Sequence, residues 1–111
     1  MKLEIKKYLF DIKVSIDSIF EYLGDNNNFF EYEKNKLLRR AVEREIEIIG
    51  EAMHKILQID KTIKIENSRK IVNTRNLVIH AYDNVDNVII WGIISNHLPK
   101  LKAEVENLLN K

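Results

Sequence analysis

The chain has 111 residues and a formal net charge of +1, with 45% hydrophobic and 32% charged residues. These values predict one globular domain over residues 1–111 and exclude a disordered chain or a strongly basic nucleic-acid-binding protein. The absence of cysteine excludes disulfides and thiolate metal sites, and the three histidines are too dispersed to form a zinc site. No apolar run predicts a signal peptide or a membrane span, so we expect a cytoplasmic protein that does not associate with membranes.

The first predicted helix runs from about Leu3 to Leu23. Its apolar residues recur at steps of three and four, which is typical of a helix buried on one side. These residues are Ile5, Tyr8, Leu9, Ile12, Ile16, Ile19, Phe20 and Leu23. Gly24 and the polar residues after it predict a turn.

A second helix is predicted to begin after Asn28 and to run to about Leu57, because Asn28 and Glu31 have the spacing of a capping box. One face of this helix is densely charged, and it carries Arg39, Arg40, Glu43, Arg44, Glu45 and Glu47. A solvated surface is the simpler interpretation of that face, and a surface for an RNA backbone or a partner is the alternative. Gly50 costs a helix roughly 1 kcal/mol relative to alanine, so we expect a close helix crossing there. Glu51 is either a surface carboxylate or a group that reaches the central stretch described below.

The second half of the chain is predicted to hold shorter helices. Residues 58–67 lose the helical period and predict a loop. Ser68 is the expected N-cap of a third helix over about 69–81, and Asp86 that of a fourth. Pro99 either kinks the fourth helix or begins a fifth at its first turn.

Residues 75–82 bring a guanidinium, an amide, an imidazole and a phenol into eight positions, through Arg75, Asn76, His80 and Tyr82. On a helix Asn76 and His80 share one face, and Arg75 and Tyr82 share the neighbouring face. Arg75 and His80 stand about 140° apart around an ideal helix. Either the helix ends before His80, or the long arginine side chain reaches round, or a symmetry mate completes the site.

These residue types suit phosphoryl chemistry on RNA. A guanidinium grips a phosphate through two parallel hydrogen bonds, and a histidine exchanges protons near neutral pH. Asn76 could orient either group, and the ribose 2′-hydroxyl could serve as nucleophile without a metal. The alternative is an arginine and a histidine paired with nearby carboxylates at a dimer interface, and the residues alone favour this simpler interpretation.

The stretch resembles the HEPN superfamily motif, in which an arginine is followed after four to six residues by a histidine. Together with Val85, Asp86 and Trp91, residues 75–82 resemble more closely the HepT-like ribonuclease toxins of that superfamily. Residues 41–44, 48–52 and 98–101 match the usual residues of the group as well. The resemblance covers about positions 29–109. The tryptophan or proline that often precedes the motif in this group is missing from residues 69–74.

The resemblance implies an all-α, up-down bundle of four to five helices that forms a two-fold dimer. It implies a metal-independent endoribonuclease without a cofactor, in which Arg75 and His80 are catalytic and Asn76 is the polar residue beside the arginine. It also implies a type VII toxin–antitoxin pair, whose MntA-like minimal nucleotidyltransferase silences the toxin by transferring AMP to Tyr82. The alternative function is a non-catalytic subunit that binds a nucleotide or docks the nucleotidyltransferase. We further expect Val78, Trp91 and their neighbours to exceed what one thin domain can cover, which also favours a homodimer.

Overall fold

The computed structural model describes residues 1–25, 28–79 and 85–111. Within these ranges the chain forms α-helices and one π-helical segment, and no strand. The segments are α1 (Leu3–Leu23), α2 (Phe29–Lys34), α3 (Lys36–Ile59), α4 (Ser68–Ile79), α5 (Asn87–Gly92), the π segment (Ile93–His97) and α6 (Leu98–Leu109). Because α5, the π segment and α6 follow one another without a break, the described residues form five continuous helices. The predicted all-α class and its four to five helices are confirmed.

The first helix has the bounds that the sequence predicts. Its apolar stripe is buried, and Ile12, Ile16 and Ile19 are fully enclosed. The helix ends at Gly24, whose φ of +60° lies in the region that favours glycine and whose N–H donates to the carbonyl oxygen of Phe20.

The single second helix predicted from Asn28 to Leu57 is wrong at Asn35, where the chain divides into α2 and α3. Asn35 ends α2 by donating its N–H to the carbonyl oxygen of Tyr32 at 3.2 Å. Its side chain then caps α3 by accepting from the N–H of Leu38 at 3.0 Å. Asparagine competes with the helical backbone for hydrogen bonds, so a single residue can close one helix and open the next. The predicted cap at Asn28 is confirmed, since its side chain accepts from two N–H groups of α2.

Two of the later boundaries are confirmed and one shifts by a residue. Asp86 caps α5 by accepting from the N–H groups of Val88 and Ile89. Pro99 lies in the first turn of α6, directly after the π segment, so α6 begins where the proline cannot donate an N–H to the preceding turn. Ser68 is already the first residue of α4, and the preceding Asn67 turns the chain with a φ of +63°.

The core lies between the two long helices α1 and α3, with α6 packed on α1 and α4 packed on α3. It is almost entirely aliphatic, and its largest enclosed side chains include Leu9, Ile16, Ile46, Met53 and Ile56. Among the described residues, no helix combines the length and apolarity that crossing a membrane requires.

Trp91 is half-buried and packs on aromatic side chains of its own chain. Its ring centroid lies 5.3 Å from that of Tyr32 and 6.0 Å from that of Phe29. Val78 is half-buried and packs on the core. Both side chains are thus only partly covered, Trp91 by an aromatic wall from α2 that the sequence pattern does not reveal. Their neighbours Leu77, Val88 and Ile89 are exposed, so the expectation of excess apolar surface stays a prediction.

Candidate active site at the crossing of α3 and α4

Gly50 is the point at which α3 and α4 touch. A Cβ built on Gly50 would lie 2.9 Å from the Cβ of Arg75, 3.2 Å from its backbone N and 3.3 Å from the carbonyl oxygen of Ile71. These separations are too short for any side chain larger than hydrogen, so the predicted close crossing at Gly50 is confirmed. The residue against which α3 packs is Arg75, the first residue of the central stretch.

Glu51 follows Gly50 and pairs with the same arginine. An Nη atom of Arg75 donates to a carboxylate oxygen of Glu51 at 2.5 Å. The Arg75 side chain is 24% exposed and that of Glu51 is 51% exposed, so the pair lies at the rim of the crossing. Of the two interpretations of Glu51, the structure supports the one in which it reaches the central stretch.

The main effect of the ion pair is to orient the Arg75 side chain, because the pair adds little to the free energy of unfolding. An ion pair this exposed contributes between 0 and about 1 kcal/mol. The guanidinium carries five N–H donors in a planar fork, and one carboxylate cannot occupy them all. Among the described residues only Glu51 accepts from this guanidinium, and a phosphate matches the bidentate geometry of its other donors.

Of the four predicted site residues, the structure describes two. Arg75 is half-buried at the crossing, and Asn76, the next residue on α4, is exposed. His80 and Tyr82 lie outside the described residues, and α4 is described as far as Ile79. The three ways of bringing Arg75 and His80 together therefore stay open.

A second polar cluster, which the sequence analysis missed, lies on the side of α3 that carries Gly50. Glu43 precedes Gly50 by seven residues, or two helical turns, and is only 4% exposed. Its assignment to a solvated face is therefore wrong, and the seven-residue spacing from Gly50 is the signal that could have corrected it. Glu43 accepts from an Nη atom of Arg40 at 2.8 Å.

Tyr32 and Arg39 complete this cluster. Burial raises the pKa of the Tyr32 phenol well above its ordinary value of 10.0, and the negative charge of Glu43 raises it further. Within the described part of the chain, the Tyr32 hydroxyl and the Nε of Arg39 are buried without a hydrogen-bond partner. The cluster is thus a polar inclusion beside Trp91 rather than a set of surface charges.

Only two residues of the charged face, Arg40 and Arg44, are exposed as the simpler interpretation predicts. Glu45 and Glu47 are half-buried. Arg40 and Arg44 are 59% and 68% exposed, and they pair with Glu43 and Glu47 three residues further along α3. Such local pairs contribute only a few tenths of a kcal/mol each.

A cavity of about 180 Å³ lies on the other flank of α4. Ile71 and Thr74 of α4, Ile49 of α3 and His97 of the π segment contribute to its lining. Arg75 and Glu51 are not among its lining residues, so the cavity is separate from the ion pair.

Histidines and carboxylates do not cluster in the described ranges. Residues 1–25, 28–79 and 85–111 contain no group of three or more histidine, cysteine, aspartate or glutamate side chains placed to hold a metal ion. His54 is half-buried on α3, and His97 is exposed.

Comparison with known proteins places these features in a family context. The family model described as "Ribonuclease HepT-like" matches residues 12–108. A Methanocaldococcus jannaschii protein, "Putative RNase MJ1380", is 36% identical over 107 residues, which cover 95% of this chain and 96% of that protein. "Probable ribonuclease HepT" of Thermococcus cleftensis is 35% identical over 109 residues, covering 97% of this chain and 98% of that protein. No solved structure matches the chain.

Proposed function

The chain belongs to the Ribonuclease HepT-like family, and from this premise we propose that it is a metal-independent endoribonuclease of the toxin type. The names of its relatives support ribonuclease activity at the level of the family. In this proposal Arg75 and His80 are the catalytic residues, and Asn76 is the polar group beside the arginine.

One observation carries the proposal more than any other. Arg75 is fixed twice by neighbouring residues of α3, by backbone contact with Gly50 and by the carboxylate of Glu51. An arginine that served only solubility would need neither constraint. A fixed guanidinium with free donors is what stabilising a developing phosphorane charge requires.

The proposed reaction is an attack of the ribose 2′-hydroxyl on the adjacent phosphate. The 2′-oxygen forms a bond to phosphorus while the bond from phosphorus to the 5′-oxygen breaks. An imidazole takes the proton of the 2′-hydroxyl, and an imidazolium returns a proton to the leaving 5′-oxygen. The guanidinium of Arg75 binds the non-bridging oxygens as their negative charge increases.

We further propose that the active form is a two-fold homodimer whose motif helices lie near the axis, so that two histidines share one cleft. Leu77 on α4 and Val88 and Ile89 on α5 support this proposal, because they are large apolar side chains exposed to solvent in the single chain, and a partner could cover them. Light scattering should give twice the mass of the chain, and a monomer at micromolar concentration would contradict the dimer.

The test of activity uses Arg75→Ala and His80→Ala. Each should abolish cleavage of single-stranded RNA and growth inhibition while circular dichroism shows unchanged helical content. Arg69→Ala, which removes an exposed arginine from the same helix, and His97→Ala are the matched controls and should cleave normally. Adding EDTA should leave the wild-type rate unchanged.

Cleavage by either catalytic variant at the wild-type rate would place the activity elsewhere. A wild type that binds a nucleotide or a nucleotidyltransferase but cuts no RNA would favour the alternative, a non-catalytic docking subunit.

The proposed partner is an MntA-like minimal nucleotidyltransferase that transfers AMP from ATP to the hydroxyl of Tyr82. Tyr82 is seven residues beyond Arg75, the spacing of one helical face. A phosphate attached there would compete for the guanidinium, and the adenosine would obstruct the RNA.

Intact mass after incubation with the partner and ATP tests this switch. Wild type should gain AMP and Tyr82→Phe should not, while the variant should still cleave RNA. An adduct that persists on Tyr82→Phe would move the modification to another residue.

A further inference from the structure

A groove between α1 and α3 adjoins the Arg75 site and has no role in the proposal so far. It encloses about 370 Å³. Tyr8 and Asp11 of α1 form one wall, and Arg44, Glu51 and Lys55 are among the residues of α3 that form the other. Because the Glu51 carboxylate that lines this groove also accepts from Arg75, the guanidinium lies at the edge of the groove.

The acidic residues of the groove are largely balanced. Glu47 is held by Arg44 at 2.8 Å, and Glu51 is held by Arg75. The other charged lining residues are the half-buried Asp11 and the exposed Lys55, which have opposite charges. A polyanion therefore meets no uncompensated block of negative charge there.

Tyr8 gives the groove an aromatic surface. It is half-buried, and the Nζ of the neighbouring Lys7 lies 5.4 Å from the centroid of its ring. The ammonium lies over the ring, and an exposed lysine can move aside, so that the ring stacks on a nucleobase while the cation contacts a phosphate. Stacking also explains how a chain with a net charge of only +1 could hold RNA.

The cations of α3 are spread along the groove on both sides of Glu51. With a rise of 1.5 Å per residue, Arg44 precedes Glu51 by about 10 Å along the helix axis, and Lys55 follows it by about 6 Å. These separations correspond to a segment of a few nucleotides that passes the Arg75–Glu51 pair.

We propose that this groove is a subsite for single-stranded RNA, in which Tyr8 stacks on a base and Arg44 and Lys55 contact phosphates on either side of Arg75. The proposal rests on the ribonuclease function and adds the path of the substrate to it.

Binding of a short 2′-O-methylated oligouridylate, which lacks the nucleophilic hydroxyl, tests the groove without cleavage. Tyr8→Ala should raise Kd roughly fivefold to a hundredfold, the range for losing one stacked base. Tyr8→Phe keeps the ring and should bind as the wild type does. Lys55→Ala should weaken binding and lower the salt dependence by about one phosphate contact. Tyr22→Ala, on the same helix but outside the groove, is the matched control.

The outcomes separate this proposal from the nuclease itself. If unmodified RNA is cut but Tyr8→Ala and Lys55→Ala bind the methylated probe as tightly as the wild type, the groove is not the subsite. If the probe binds through Tyr8 and Lys55 but no RNA is cut, the subsite stands and the nuclease proposal fails. Because Lys55 is exposed, its variant keeps the test decisive even if Tyr8→Ala disturbs the fold.

Discussion

The helix α3 packs against two neighbours in different ways. Its contact with α1 is long and aliphatic, and both helices contribute fully enclosed side chains such as Ile16 and Met53. Its contact with α4 is close and partly polar. There Gly50 has no side chain, and Glu51 pairs with Arg75 of α4.

The difference separates stability from function. An aliphatic interface gains free energy roughly in proportion to the apolar area it removes from water. A helix crossing at a glycine buries less apolar side-chain area, but it lets the two backbones come closer together. Here α3 comes close to the backbone of Arg75. We infer that the α1 face holds the fold together and that the α4 face fixes the position of a functional arginine.

The largest expected effect is on the α1 side. Ile16→Ala should lower the free energy of unfolding by about 2–5 kcal/mol, because it leaves a cavity at a fully enclosed site. Val14→Ala, two residues earlier on the exposed side of α1, should change it by less than about 0.5 kcal/mol. Urea unfolding measures both. Equal losses would mean that the two sides of α1 do not differ in burial as described.

Gly50→Ala should have the next largest effect and should reach the active site. The added methyl group would lie 2.9 Å from the Cβ of Arg75, so α4 must move away. Such overpacking costs about 1–3 kcal/mol, and the better helix propensity of alanine offsets roughly 1 kcal/mol of it. We expect a net loss of stability together with slower RNA cleavage.

Gly92→Ala is the control for this substitution. A Cβ at Gly92 meets no described atom within 4 Å, so the same change in a helix should stabilise the protein slightly and leave cleavage unchanged. Identical behaviour of the two variants would contradict a functional crossing at Gly50.

The sequence predicted the aliphatic interface more completely than the polar one. The stripe of α1 has a clear period, and its bounds were correct because burial on one face imposes that period. The crossing at Gly50 follows from a glycine inside a helix, but the sequence leaves the pairing of Glu51 with the central stretch as one of two alternatives, because it joins residues 24 positions apart. The break between α2 and α3 at Asn35 is not predictable from the sequence, because asparagine is compatible with both a helix interior and a helix cap. Only the packing of the neighbouring helices decides between the two.

Tyr32→Phe probes the polar inclusion beside Trp91. The buried hydroxyl has no partner among the described residues, so removing it should raise the free energy of unfolding by up to about 1 kcal/mol. The pKa of Tyr32 is raised in the folded protein, so above the ordinary tyrosine value the unfolded state ionises first and is stabilised. The wild type therefore loses stability as the pH rises above that value, and the phenylalanine variant does not. The stability advantage of the variant should therefore grow in alkaline buffer. A constant difference across that range would show that Tyr32 titrates normally.

The smallest effect on stability, and the sharpest test of the comparison, comes from Glu51→Gln. The pair with Arg75 is partly exposed, so its loss should change the free energy of unfolding by less than about 0.5 kcal/mol. The guanidinium would lose the carboxylate that orients it, and a displacement of about 1 Å can slow a reaction a hundredfold. We therefore expect RNA cleavage to fall roughly tenfold to a hundredfold in a protein of nearly wild-type stability. Glu45→Gln is the matched control, because Glu45 also links α3 to another helix, accepting from the hydroxyl of Tyr22 on α1 at 2.7 Å. It should leave cleavage unchanged. Equal rates for both variants would mean that Glu51 does not position Arg75 and that the polar contact between α3 and α4 serves the fold alone.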